Sequence, residues 1–420
     1  MKTKPSLGPA IAAVEEVRVD RLGRDGEGLA EGSTGQLRVP LALPGERVRG
    51  PVADGILTVT AVVEASPERV APPCRHFGVC GGCALQHASD RFVADWKAAV
   101  VARALAARGL ETELRPTATS PARSRRRATF AGRRTRKTVQ IGFHARRSDQ
   151  VVEIADCAVI RPELLAARPL LAELTGLGAA RGGAIRLGVT VGPAGLDIDV
   201  ADAKPLEAAL AETLARLAER ADLARLSWNG TPVAFARPPL QPMGRARVAP
   251  PPGAFLQATE AGQAALTEAV REAAGAARRI ADLFAGCGTF ALPLAETAEI
   301  HAVEGEADML AALDAGWRGA PGLHRVTTER RDLFRRPLGP AELAGFQAVA
   351  IDPPRAGAEA QAGALAASAV PRIAMVSCNP VSFARDAGLL VAGGYRLDWV
   401  QVVDQFRWSA HVELAASFSR

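Results

Sequence analysis

At 420 residues the chain exceeds one ordinary domain, and two or three are expected. An apolar content of 48% excludes global disorder, and the absence of any run of about 18 apolar residues excludes a helical membrane span, so no membrane partner is expected. A net charge of +6 with a pI near 9.3 favours a polyanionic partner.

The start, MKTKPSLGPAIAAVEEV, has too short an apolar patch before Glu15 and Glu16 for a secretory signal. A cytoplasmic chain with reduced thiols is therefore expected, whose cysteines bind metal or do chemistry. Residues 12–66 read as short strands broken by glycine (VEEVRVDRL, GLAEG, QLRVPLAL, ERVRGPV, ILTVTAVVEA), which predicts a small oligonucleotide-binding type barrel over 1–66. After SPERVAPP come Cys74, Cys80 and Cys83, spaced C-x5-C-x2-C, with Cys157 further on in IADCAVI. Three close cysteines among glycines plus a distant fourth form a ligand set. Its spacing approaches the plant-type ferredoxin pattern, and a four-thiolate zinc site stays open.

A helix is predicted from Asp90 to about Leu110, with Phe92, Trp96 and Val100 on one face. From Arg123 to Arg147 there are ten Lys or Arg residues and no acid, a density suited to a phosphate backbone. Strands ATFAGR, TVQIGFHA, AIRLGVTV and LDIDVADA mix with helices RPELLAARPLLAEL and KPLEAALAETLARLAER, giving an α+β region over 67–250 that ends in RPPLQPMGRARVAPPPGA. Over 251–420 the strands ARRIADLF, EIHAVE, LHRVTT, FQAVAID, RIAMVS, YRLDWVQVV and AHVELAASF alternate with helices, which predicts a doubly wound, mainly parallel α/β sheet of Rossmann-like type.

Within that domain, Asp282-Leu-Phe284-Ala-Gly286-Cys-Gly288-Thr289 follows an apolar strand and opens a helix. Gly286 and Gly288 permit a tight turn and close approach to a nucleotide-like ligand. Glu304 closes the next strand, where an acid binds ribose hydroxyls, and Asp332 follows the third, placed for an adenine. With Ala291 the glycines also satisfy G-x-G-x-x-A, so a nicotinamide cofactor is an alternative. Asp352-Pro-Pro-Arg-Ala-Gly357 at the end of the fourth strand makes a rigid lip that such enzymes do not need.

Ser377-Cys378-Asn379-Pro380 ends the fifth strand and brings Cys378 to the same edge. A free thiol is only a few per cent ionised at neutral pH, so the site is expected to favour the thiolate through NH groups of a helix begun after Pro380. Glu413, inside the apolar run HVELAASF, is the candidate base, its pKa raised by desolvation. A thiolate and a base beside a methyl donor are what methylation at carbon 5 of uracil requires. Addition at carbon 6 makes carbon 5 nucleophilic, and the base removes its proton so that the thiolate can leave. Cys287, inside the glycine loop, reads as packing.

In family order, C-x5-C-x2-C with Cys157, DLF-x-G-x-G, DPPRAG, SCNP followed by ARD, and a terminal HVE resemble the RNA uracil-5 methyltransferase family, in its bacterial ribosomal branch with a [4Fe–4S] cluster. The resemblance implies a TRAM barrel over 1–66, cluster ligands Cys74, Cys80, Cys83 and Cys157, nucleophile Cys378 and base Glu413. It implies contacts to S-adenosylmethionine from Gln257, Phe284, Gly286, Gly288, Thr289, Glu304, Asp332 and Asp352. A monomer acting on RNA, 23S rRNA foremost, follows from it. Three positions depart from the family pattern: Thr259 for asparagine in F-x-Q-x-N, Thr289 in the loop, and Arg407 for proline in D-x-F-P. A transfer-RNA uracil-5 methyltransferase and a non-catalytic iron–sulfur assembly factor are the competing readings.

Overall fold

The computed structural model describes residues 13–420, which divide into two compact units. One runs to Val93 and includes Trp408–Ala410; the other comprises Ala94–Arg407 and His411–Arg420. The stretch of the signal-peptide reading up to residue 12 lies outside the described residues.

The first unit carries β1 (Val14–Leu22), β2 (Gly28–Gly32), β3 (Gly35–Val39), β4 (Arg47–Ala53), β5 (Ile56–Leu57) and β6 (Ala61–Glu64). Their order is β1-β2-β3-β5-β4-β6, and an additional antiparallel β1–β4 pairing closes the barrel that the glycine-broken strands predict. In β1 the alternation puts Val17 and Val19 inside, and a register shift between Val19 and Arg21 turns Leu22 inward as well. Val17, Val19, Ala30, Leu37, Val39, Ala42, Val48 and Leu57 make its core. Gly50 is required in β4, because a Cβ there would collide with the Thr58 carbonyl.

Helix α1 (Asp90–Ala106) begins in the first unit and continues into the second. Its buried positions are Val93, Trp96, Lys97, Val101 and Leu105, a face rotated from the predicted Phe92–Trp96–Val100 stripe. The rotation comes from Lys97, which apolar periodicity assigns to solvent but which an ion pair with Asp404 holds inside.

After β7 (Glu113–Thr119), the second unit contains a seven-stranded sheet and an eight-stranded one. The first joins β8 (Arg127–Arg134), β9 (Val139–His144), β10 (Val151–Glu153), β11 (Ala184–Gly192), β12 (Gly195–Ala201), β13 (Arg225–Trp228) and β14 (Thr231–Phe235), in the order β10-β9-β8-β11-β12-β13-β14. Helices α2 (Pro162–Ala166), α3 (Arg168–Gly178) and α4 (Ala208–Arg220) accompany it. Leu210, Leu214 and Leu217, at helical spacing, form the buried stripe of α4.

The hairpin β15 (Gln241–Met243) and β16 (Ala246–Val248) leads to α5 (Glu260–Ala274). Strands β17 (Arg279–Leu283), β18 (Glu299–Glu304), β19 (Val326–Arg330), β20 (Ala348–Ile351), β21 (Arg372–Ser377), β22 (Arg396–Asp404) and β23 (Leu414–Ser419) then alternate with α6 (Ala291–Leu294), α7 (Ala307–Arg318), α8 (Pro340–Leu343), α9 (Glu359–Ala366) and α10 (Pro380–Ala392), with β22 and β23 directly consecutive. The order is β19-β18-β17-β20-β21-β23-β22-β7, parallel except for β23, which runs against both neighbours. This is the doubly wound sheet the alternation predicts, reversing direction between β17 and β20, where ligands of such sheets bind. Its eighth strand, β7, pairs in parallel with β22 from far upstream. ELRPTAT has no clean alternation, and its proline suits an edge, so nothing local announced the pairing. Among the described residues no helix is long and apolar enough to cross a membrane.

Candidate active site

Strand register assembles the site. Ser377 pairs with Leu414, so Cys378, one residue past β21, lies opposite Glu413, one residue before β23. Ile351 pairs with Leu283 and Met375, which sets Asp352 between the β17 glycine loop and Cys378. The amide of Asp352 donates to Leu283 O at 3.2 Å. Residues from four parts of the sequence thus share the carboxyl edge of the sheet.

The glycine loop is held open by its backbone. Phe284 (φ 60°), Gly286 (φ 55°) and Gly288 (φ 97°) are all left-handed, and a Cβ on Gly288 would press on Leu292 and Leu313. Glu304 ends β18 and gathers three amides: Gly286 N at 2.9 Å, Gly305 N at 2.6 Å and Glu306 N at 3.0 Å. Asp332 is exposed beyond β19, where its Oδ1 accepts from Phe334 N at 3.0 Å, and Phe334 packs on Phe284 with ring centroids 5.4 Å apart. Thr289 is half-buried in the loop, and Cys287 is buried in the core as its reading predicts. Beneath the loop the Asp282 carboxyl is fully buried, and burial pushes its pKa up to about 8 against a smaller opposing effect of the Ala291 amide.

Around Cys378 the electrostatics oppose the expectation from sequence. Helix α10 starts at Pro380 as foreseen, but Asn379 takes up the Val381 amide with its side chain and donates to Arg355 O at 2.9 Å. Burial, then the charges of Glu413 and Asp352, push the Cys378 thiol up to about 11, against a smaller opposing effect of Arg355. The resting thiol is neutral, because two carboxylates and desolvation outweigh one helix start. Asp352 is itself driven well above the ordinary carboxylate range by burial, then by Glu413 and Asp282. Burial raises Glu413 to about 7, as its place in an apolar run predicts.

Gln405 is absent from the sequence reading yet central to the site. Its Nε2 donates to Glu413 Oε2 at 2.9 Å and to Gln257 Oε1 at 2.5 Å, while its Oε1 accepts from Ala258 N at 2.7 Å. Both flanking residues are pinned: Lys97 Nζ donates to Asp404 Oδ1 at 2.6 Å and to Phe406 O at 3.2 Å, and Asp404 Oδ1 accepts from Phe406 N. Arg126 is likewise buried, with Nε on Gln257 O at 3.1 Å and Nη2 on Gln263 Oε1 at 2.6 Å. This corrects the view of the Arg123–Arg147 run as one phosphate-facing face. Arg126 braces the Gln257 segment, and Arg127 bonds Leu256 O and lies 5.2 Å from the Phe255 ring.

Two departures from the family pattern acquire local reasons. Thr259 caps α5, its Oγ1 accepting from Gly262 N at 2.9 Å, a task asparagine and threonine share. Arg407 donates from Nη1 to Ser120 O at 3.0 Å, so a side chain ties down the segment where proline would stiffen it.

Cys74, Cys80 and Cys83 belong to the first unit and Cys157 to the second. Gly82 N donates to Cys80 Sγ and Val159 N to Cys157 Sγ, each at 3.5 Å, the kind of amide–sulfur bond that accompanies thiolate ligands. The donor chemistry suits a thiolate-bound metal. Among the described residues no three His, Cys, Asp or Glu side chains are gathered into one ligand group.

Residues 322–420 match the tRNA (Uracil-5-)-methyltransferase family. A protein of Brucella suis biovar 1 named as an uncharacterized RNA methyltransferase is 44% identical over 405 residues, spanning 96% of this chain and 98% of that protein. The 23S rRNA (uracil(1939)-C(5))-methyltransferase of Halomonas elongata is 36% identical, over 95% of this chain and 88% of that protein. The crystal structure of Pyrococcus abyssi tRNA (uracil-54, C5)-methyltransferase in complex with S-adenosyl-L-homocysteine shares the fold, with a TM-score of 0.74 at 22% identity over 96% of this chain and 99% of that one. The nicotinamide alternative falls, and the chain belongs to the S-adenosylmethionine-dependent RNA (uracil-5-)-methyltransferase family.

Proposed function

We propose that the chain methylates carbon 5 of a uridine in 23S rRNA, with Cys378 adding to carbon 6 and Glu413 removing the carbon-5 proton. The observation that carries this reading is the β21–β23 register, which sets thiol and carboxyl side by side at the edge shared with Asp352 and the glycine loop. The relative from Halomonas elongata favours ribosomal RNA.

Bound S-adenosylmethionine would supply the electrophilic methyl group. The residues fit it: Gly286 and Gly288 turn the loop in left-handed conformations, and Glu304 ends β18 beside it with its carboxylate on the Gly286 amide. Gln257, Phe284, Gly286, Gly288, Thr289, Glu304, Asp332 and Asp352 would hold it. Cys378 gives up its proton as its sulfur bonds to carbon 6. That proton passes to solvent, so that the Glu413 carboxylate stays free for the later step. Once carbon 5 is methylated, Glu413 takes its proton, the carbon 6–sulfur bond breaks, and the thiolate leaves.

A division of labour follows: a barrel within 1–66 of TRAM type and a basic region within 67–250 grip RNA, while 251–420 performs the chemistry. Cys74, Cys80, Cys83 and Cys157 would hold a [4Fe–4S] cluster, supported by their spacing and by the amide–sulfur bonds. Iron and sulfide analysis of anaerobically purified protein should find four of each per chain by that stoichiometry; a colourless zinc protein refutes it. Cytoplasmic, monomeric action accords with this reading.

The test is transfer of labelled methyl to unmodified 23S rRNA and tRNA. Label in 23S rRNA supports the proposal. Label in tRNA alone would favour the second reading, which the name of the matched family suggests. RNA binding without label would leave a non-catalytic assembly factor.

A further inference from the structure

We infer that Gln405 is the positioning residue for Glu413 and ties that carboxylate to Gln257; the inference rests on Glu413 acting as the base. The side chain is 1% exposed, and its orientation is fixed by its partners. An amide NH from Ala258 points at Oε1, so Oε1 must accept, and both hydrogens of Nε2 are left for Glu413 Oε2 and Gln257 Oε1. A flipped amide would set donor against donor at Ala258 and acceptor against acceptor at Glu413. The Lys97–Asp404 pair, with its bonds to Phe406, then prevents the whole turn from drifting.

Two consequences follow for Glu413. Gln405 supplies the one hydrogen bond to its side chain among the described residues, and that bond ties Oε2, which leaves Oε1 for the substrate proton. An NH donor also favours the carboxylate over the acid and so opposes burial. The other ionisable groups acting at this point are Asp352 and Cys378, with Arg355 acting on the thiol and Asp282 on Asp352. Gln257, whose Oε1 is engaged, keeps its own NH2 for other partners. The same amide therefore orders the base and a proposed cofactor contact together.

The test uses Gln405→Met, which removes the donor at similar volume, and Gln405→Glu, which keeps an acceptor for Ala258. The full-length protein would be followed in single turnovers with unmodified rRNA, reading formation and decay of the protein–RNA adduct against pH. Adduct formation by Cys378 should persist in both variants. The acid limb of adduct decay should move up by about one pH unit, making decay about tenfold slower below the limb. S-adenosylmethionine binding, measured calorimetrically, should weaken in Gln405→Met. If Glu413→Gln abolishes the acid limb while both Gln405 variants keep the wild-type limb, this inference is overturned and the base assignment stands. If Glu413→Gln keeps the wild-type limb, the base assignment fails and the inference falls with it.

Discussion

Glu46 in the barrel and Glu413 at the end of the methyltransferase sheet are both shut off from solvent, at 0% and 3% exposure, yet their pKa values move in opposite directions. Burial drives both toward the neutral acid. Glu46 meets the Arg69 guanidinium, with Nε 2.5 Å from Oε1, and the amides of Leu43 and Ser66, which together hold it below the ordinary glutamate range. Glu413 receives one neutral donor, Gln405, and rises to about 7. Glu413 lies the deeper of the two in the protein, and it also has fewer donors. An acid saturated with donors stays ionised, whereas one left short of them titrates nearer neutrality.

The sharpest break of this comparison comes from the functional side. Cys378→Ala should lower methyl transfer on the order of 10⁵-fold and give no RNA adduct on denaturing gels. Normal turnover by that variant would remove the nucleophile assignment. Glu413→Gln should slow turnover by about 10²–10⁴-fold while the adduct accumulates. Because the base must be ionised, wild-type turnover should rise with pH through about 7 and then level off, and this limb should vanish in Glu413→Gln.

The structural side should behave differently. Glu46→Gln should leave the methyl-transfer step itself intact but cost about 1.5–3 kcal/mol of barrel stability, readable as a lower thermal midpoint. An unchanged midpoint would mean the Arg69 pairing stabilises nothing.

The smallest effect is the sign of the pH dependence of stability. The folded pKa of Glu46 is lowered, so its contribution is complete above the ordinary range near 4.5 and is lost as pH falls through the folded value. That of Glu413 is raised, so the folded state binds the extra proton and loses stability as pH rises from about 4.5 to about 7. Denaturant melts of the two Gln variants across roughly pH 2 to 8, reaching well below the ordinary glutamate value and above 7, should remove slopes of opposite sign. Slopes of the same sign would dissolve the contrast.

Much of the catalytic edge was legible because it is built from local signals. Gly286, Gly288, Asp352 and Cys378 each sit where an apolar strand stops, and in an alternating sheet strand ends converge on one edge. Glu413 was legible as an acid inside an apolar run. The barrel was legible from short strands punctuated by glycine. Gln405, Arg126 and Lys97 were not, since a glutamine in Asp-Gln-Phe, an arginine among nine other basic residues and a lysine on an amphipathic helix all read as ordinary polar positions.

By itself, then, the sequence determined the strand–helix alternation, the glycine turn and the chemical types at the strand ends, because backbone sterics and apolar periodicity act over a few residues. Only the tertiary structure decided the charge states. It brought Asp352 and Glu413 near one thiol, leaving that thiol neutral where a helix start alone predicts an anion, and it buried Lys97 against Asp404 across 307 positions of chain. Ionisation depends on which charges and donors a fold brings within a few ångströms, and no window of sequence contains that sum.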